Sequence, residues 1–197
     1  WRTLVEASYA HNSRLYSRFA DSATGDEIFS FLLWDARQPP FFEYLQRWRL
    51  KAPLEARPGL EAQIREELED DHAGLFRSMM AELSRRFSSH GAAPDQAMVG
   101  DLNYTFSPEC VAKESFEFFC GGFLATEIMS ARRCEQLYSG LRRAGVPQEA
   151  LTYLSLHAKG DIKHSEQVCM ELIEPTLRAG GSAREMERGL KDRLERS

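Results

Sequence analysis

His157, Asp161 and His164 stand four and three residues apart. On a helix those spacings put all three side chains on one side. They fall along the edge of an apolar stripe made by Leu151, Leu154, Ala158, Ser165, Val168 and Leu172. A carboxylate and two imidazoles are costly to bury unless something pairs with them. A metal ion does so directly, and imidazole with carboxylate is the usual ligand set for iron, manganese and zinc. The competing reading is a buried His–Asp hydrogen-bond network, or a polar edge facing water.

Glu127 interrupts a second apolar face, Phe116, Phe119, Phe123, Cys134, Tyr138 and Leu141. A carboxylate there needs a cation, from Arg132 or Arg133 or from a metal. A third segment runs Glu66-Glu67-Leu68-Glu69-Asp70-Asp71-His72. His72 shares a face with Leu68 and Leu75. On a continuous helix Glu69 lies roughly 60° around from His72, Glu66 roughly 120° and Glu67 roughly 140°. Glu69 is therefore the expected carboxylate beside His72, with Glu66 and Glu67 as competitors that win only if the helix is distorted between Leu68 and His72. Otherwise the run is a solvated acidic face. Together the segments offer Glu69, His72, Glu127, His157, Asp161 and His164 as metal ligands, with Glu69, Glu127 and Asp161 as the catalytic carboxylates. Two metals bridged by carboxylates, with positions left open, account for that number better than one. Such a donor set favours iron or manganese over structural zinc.

The elements that must hold these residues are helical nearly throughout. Trp1 to Phe19 has loose helical spacing, and Ile28 to Trp34 is a second apolar segment closed by Pro39-Pro40. Phe41 to Leu50 is a helix with an aromatic face. A long helix follows from Leu60 to about Phe87, with the stripe Leu60, Ile64, Leu68, Leu75, Phe76, Met79 and Leu83. Ser88 to Pro108 is irregular, with one short helix at Gln96 to Leu102. Ser107-Pro108 reads as an N-cap and first helical residue. It opens a long helix to Arg143, with Gly121-Gly122 marking a kink or a close helix crossing. A third long helix runs from Pro147 to Glu174, interrupted at Gly160, and Ser182 to Arg196 is a charged, fraying final helix. The class is all-α, a single domain over 1–197 built around three long helices.

The chain has 197 residues, 25 Lys+Arg and 30 Asp+Glu, for a formal net charge of −5. A mildly acidic chain is a poor general binder of phosphate backbones, so no nucleic-acid partner is expected. No apolar run reaches the about eighteen residues of a membrane span, and none resembles a signal peptide, so the expectation is a cytoplasmic protein with no membrane partner. Cys110, Cys120, Cys134 and Cys169 form no C-x-x-C pair and read as small buried hydrophobes of a reducing compartment.

The acidic segment ending in His72 and followed by Leu75-Phe76, the central Glu127, and His157-x3-Asp161-x2-His164 together resemble the haem-oxygenase-like diiron oxidases and oxygenases. The resemblance spans roughly Phe41 to Glu174. It implies a haem-oxygenase-like bundle of about seven helices, two Fe(2+) per chain with dioxygen as co-substrate, and oxidation of a small molecule derived from an amino acid, an amine or a fatty acid. N-oxygenation, C–C cleavage and desaturation are the implied reactions. A small-molecule substrate, an external electron donor and a homodimer are the implied partners. In this family the first glutamate stands at more than one distance from its histidine. The longer spacing lands on Arg65, which cannot ligate a metal, so this chain needs the short spacing Glu69 to His72 or a glutamate at neither distance.

Phe41, Phe42, Tyr44, Trp48, Phe116, Phe119, Phe123, Met129 and Tyr153 read as core before substrate pocket, and Arg47 and Arg132 as surface before carboxylate anchors. Two alternatives accompany the diiron reading. One is a metal-free, thiaminase-like hydrolase of the same fold with Cys134 as nucleophile. The other is a non-catalytic helical interaction protein. Haem oxygenase itself would need a proximal histidine near the start of the chain, where His11 is the candidate, and would leave the carboxylates of the third helix unexplained.

Overall fold

The computed structural model describes residues 16–36, 41–69, 71–88 and 104–196, with Thr3 and Ala10. The elements among them are α1 (Gly25–Asp35), α2 (Phe41–Trp48), α3 (Arg57–Glu69), α4 (His72–Arg86), α5 (Pro108–Lys113), α6 (Phe116–Arg143), α7 (Thr152–Gln167), α8 (Glu174–Arg178) and α9 (Ala183–Glu195). Single turns of 3-10 helix at Tyr104–Phe106 and Gln148–Leu151, and a π-helical turn at Val168–Ile173, complete the set. The described residues contain no strand, as the all-α reading expects. The helix expected at Gln96 to Leu102, and most of the one expected at Trp1 to Phe19, lie outside the described residues.

Local chemistry sets the boundaries. Thr24 opens α1 with a capping box: its side chain accepts the Glu27 N–H, and the Glu27 carboxylate accepts the Thr24 N–H at 2.8 Å. The long helix expected from Pro108 to Arg143 is two. Ser107 caps α5 as expected, accepting the Cys110 N–H at 3.0 Å. The chain then turns extended at Glu114, and Ser115 accepts the Phe118 N–H at 3.2 Å to start α6. The helix expected from Leu60 to Phe87 is also two, α3 and α4.

Two compact units divide the chain. The first takes Trp1–Pro39, Asp71–Pro94 and Ile128–Ile162. Its core joins Ile28, Phe29 and Leu32 of α1, Met79 and Leu83 of α4, Cys134, Leu137 and Leu141 of α6, and Leu151 and Leu154 at the start of α7. The second takes Pro40–Asp70, Asp95–Glu127 and Lys163–Ser197. Its core is aromatic: Trp48 of α2 stacks on Phe119 of α6 at 4.8 Å, and Phe119 on Phe123 at 5.3 Å. The N-terminal half of α6 is buried on more sides than one stripe requires, with Phe118, Cys120, Leu124 and Ala125 fully covered.

The final helix corrects its expectation of fraying. Met186, Gly189, Leu190 and Arg193 of α9 are buried. The reason is a backbone-close crossing with α6. A Cβ at Gly121 would lie 1.8 Å from the Met186 carbonyl oxygen, and one at Gly189 would lie 1.9 Å from that of Phe118. Gly121 therefore marks the close crossing that Gly121-Gly122 suggested.

α7 runs unbroken through Gly160, which does not interrupt it. The helix then widens to the π-turn, where the Glu174 N–H bonds to Cys169 O, five residues back. Pro175 explains the widening: it has no N–H for the Glu171 carbonyl, and its ring crowds that carbonyl in a regular α-turn. Gly59 of α3 lets the backbones meet at this turn, since a Cβ there would lie 2.6 Å from Glu171 O.

Candidate metal centre

In the first unit, α7 carries His157 and Asp161 one turn apart. His157 Nδ1 and Asp161 Oδ1 are 2.9 Å apart, and Asp161 is only 1% exposed. An ionised carboxylate only accepts, so a neutral imidazole paired with ionised Asp161 carries its hydrogen on Nδ1 and its lone pair on Nε2. That Nε2 is buried and has no hydrogen-bond partner among the described residues. His72, the buried first residue of α4, sets its ring against that of His157, with centroids 4.7 Å apart.

In the second unit, His164 sits between two carboxylates. Its Nε2 lies 3.1 Å from Glu66 Oε1 of α3. Its Nδ1 lies 3.5 Å from Glu127 Oε2 of α6, which is ion-pair range and longer than a hydrogen bond. Glu127 is 5% exposed, and His164 is buried too.

The acidic segment departs from a regular helix. α3 ends at Glu69 and α4 begins at His72. Between them Asp71 adopts the left-handed conformation, φ 46° and ψ 43°, and its Oδ1 accepts the Gly74 N–H at 3.1 Å. Gly74 makes room for this cap, since a Cβ there would lie 2.0 Å from Asp71 Oδ2. Without an unbroken helix, Glu69 has no angular advantage over Glu66 or Glu67 beside His72. Glu69 is exposed, and Leu68, expected in the core stripe, is 52% exposed. The buried residues of α3 are instead Gly59, Leu60 and Gln63, and Glu66, one turn on from Gln63, is half-buried. Asp71-x2-Gly74 is the sequence signal for this break, an Asx cap followed by the residue that admits it.

Phe41, Tyr44, Trp48, Phe119 and Phe123 pack against one another or on Phe106 as core. Arg47 donates to the Phe106 carbonyl at 3.3 Å and lies over the Tyr44 ring, while Arg132 pairs with Glu135 along α6. Cys134 belongs to the apolar core of the first unit, with the Ser130 hydroxyl 4.0 Å from its sulfur. Burial pushes the Cys110 thiol up to about 12 and Cys120 well above its ordinary range, so neither supplies a thiolate near neutral pH. A cleft of about 330 Å³ in the second unit is lined by Lys51, Phe116, Glu117, Thr176, Gly180 and Gly181, and contains none of the ligand candidates. No helix among the described residues is long and apolar enough to cross a membrane.

Residues 40–196 match the family model of the iron-containing redox enzymes, a haem-oxygenase-like family, and the chain belongs to it. No curated protein matches the chain significantly.

Proposed function

We propose, from that membership, that the protein is a non-haem diiron oxidase or oxygenase acting on a small molecule. The observation that carries the reading is buried His164 held between two carboxylates, with Nε2 3.1 Å from Glu66 and Nδ1 3.5 Å from buried Glu127. The donors suit iron: oxygen and imidazole nitrogen only, without thiolate. The buried, unpartnered His157 Nε2 fits as well, since its other nitrogen is already held by Asp161 in the arrangement common to metal-bound histidines. The residues we propose as ligands are His72, His157 and Asp161 of the first unit and Glu66, Glu127 and His164 of the second. Glu66 takes the place expected of Glu69.

When bound, two ferrous ions supply the electrons and the coordination positions for activating dioxygen. The chain's own residues do the rest. Glu66, Glu127 and Asp161 bring negative charge that offsets the cations. Burial of Asp161 and Glu127 keeps water from those carboxylates and strengthens their field. Asp161 Oδ1 holds the hydrogen on His157 Nδ1, which presents Nε2 as a lone-pair donor. Before metal enters, whichever nitrogen of His164 carries hydrogen faces a carboxylate, Glu66 at Nε2 or Glu127 at Nδ1. Loading must displace any hydrogen from the ligating nitrogen, so affinity for iron weakens as pH falls.

Anaerobic reconstitution with ferrous iron followed by elemental analysis tests the reading. Two irons per folded chain are expected. A value near zero, with helical content intact, sinks the diiron function and leaves a metal-free activity of the same fold.

A further inference from the structure

Two pairs of rings interlock in the first unit. On α4, His72 and Phe76 are four residues apart; on α7, Tyr153 and His157 are four apart. Each pair therefore occupies one helix face. His72 meets His157 edge-on with centroids 4.7 Å apart, and Phe76 meets Tyr153 edge-on at 5.0 Å. Within α7 the Tyr153 ring tilts over the His157 imidazole at 4.4 Å. Phe76 and Tyr153 also pack against the apolar core of this unit. The imidazoles are thus the outer members of a four-ring block whose inner members rest on the core.

The hydrogen bond from His157 Nδ1 to Asp161 fixes one edge of the imidazole. That bond alone does not stop the ring from rotating out of line with Asp161, which would swing the buried, unpartnered Nε2 away from its direction and free the Nδ1 hydrogen. The rings of Tyr153 and His72 both lie against the imidazole and oppose that rotation. We propose that Tyr153 is a positioning residue for His157, holding its Nε2 in the orientation and tautomer needed to ligate metal, with Phe76 as the backstop for the Tyr153 ring. The proposal rests on His157 being a metal ligand. It assigns the work to the ring of Tyr153 and not to its hydroxyl, because the contact is ring on ring.

The test compares Tyr153→Phe and Tyr153→Leu by two measurements on the full chain. Titration of ferrous iron under anaerobic conditions reads affinity. Long-range proton–nitrogen NMR of metal-free protein reads the His157 tautomer without any metal. Tyr153→Phe is expected to match wild type in both. Tyr153→Leu is expected to weaken iron binding about tenfold, the lower end for losing a supporting contact, and to replace a single His157 tautomer with a mixture. Wild-type behaviour of Tyr153→Leu in both measurements overturns the proposal, as does an equal loss in Tyr153→Phe, which would move the role to the hydroxyl. If Tyr153→Leu does not fold, Phe76→Leu decides: a smaller loss in the same direction supports the backstop, and no change overturns it. Failure of wild type to bind iron would sink the diiron reading by itself. The NMR arm would still decide whether Tyr153 orients His157.

Discussion

α7 and the α3–α4 segment carry the same kind of residue and use opposite means to place it. α7 is a regular helix from Thr152 to Gln167, and its periodicity alone aligns His157, Asp161 and His164. The α3–α4 segment places Glu66 and His72 by breaking periodicity at Asp71, whose left-handed backbone ends one helix and caps the next. A regular helix exposes its ligand set to anyone counting residues. A broken one hides it, because residue spacing cannot be counted across the break. The π-turn that accommodates Pro175 comes after His164, the last of the proposed ligands on α7, so that distortion costs their alignment nothing.

The largest expected effect lies on the regular helix. Asp161→Ala should lose at least one iron and with it all oxidation. Removing the carboxylate also leaves the His157 Nδ1–H without its acceptor, so the metal-free protein should lose about 1–3 kcal/mol of stability in denaturant unfolding. Asp161→Asn separates the two effects, because its carbonyl oxygen can still accept from Nδ1 while its amide is a poor iron ligand. Normal metal-free stability with low iron content is the expected result. A stable Asp161→Ala protein would mean that the 2.9 Å contact contributes nothing to folding, and the contrast between the segments would lose its rigid member.

The next largest effect tests the broken segment directly. Glu66→Gln keeps the side-chain shape, removes the charge and should cut iron content by half or more. Glu69→Gln, on an exposed residue, should leave iron content and oxidation at wild-type levels. The reverse pattern would show that the chain straightens through Asp71 when metal binds.

These cases show where the sequence carries its structure legibly. Residues aligned by regular periodicity were readable: the α7 face and the position of Glu127 on the Phe119/Phe123 face. So were features with a sequence mark of their own, the Ser107-Pro108 cap and Gly121-Gly122 at the close crossing. Boundaries set by one side chain without such a mark were not. Ser115 starts α6 through a single hydrogen bond, and Asp71 ends a helix through a backbone conformation that few non-glycine residues adopt. Both residue types are common inside and outside helices, so their meaning depends on the dihedral angles they meet. α9 was misread for another reason. Its charges cover one face, while the decisive residue, Gly189, acts by having no side chain against Phe118.

The smallest effect concerns Asp71 itself, where conformation and capping can be separated by three substitutions. Asn tolerates the left-handed region and can accept the Gly74 N–H, so Asp71→Asn should stay within about 0.5 kcal/mol of wild type. Glycine reaches φ 46° without strain but offers no cap, and glycine at a cap position costs only a few tenths of a kcal/mol. Alanine loses on both counts: about 1 kcal/mol for the left-handed backbone and about 1 kcal/mol for the missing cap. Denaturant unfolding of the metal-free proteins should therefore rank Asn and Gly near wild type and Ala about 2 kcal/mol below. A second readout ties this ranking to the ligand question. With the break retained, Glu69→Gln should remain silent for iron content in the Asp71→Ala background. If Asp71→Ala is instead more stable and Glu69→Gln now costs iron, alanine has let α3 and α4 fuse into the straight helix that spacing alone describes. Asp71 would then be what moves the carboxylate ligand from position 69 to position 66.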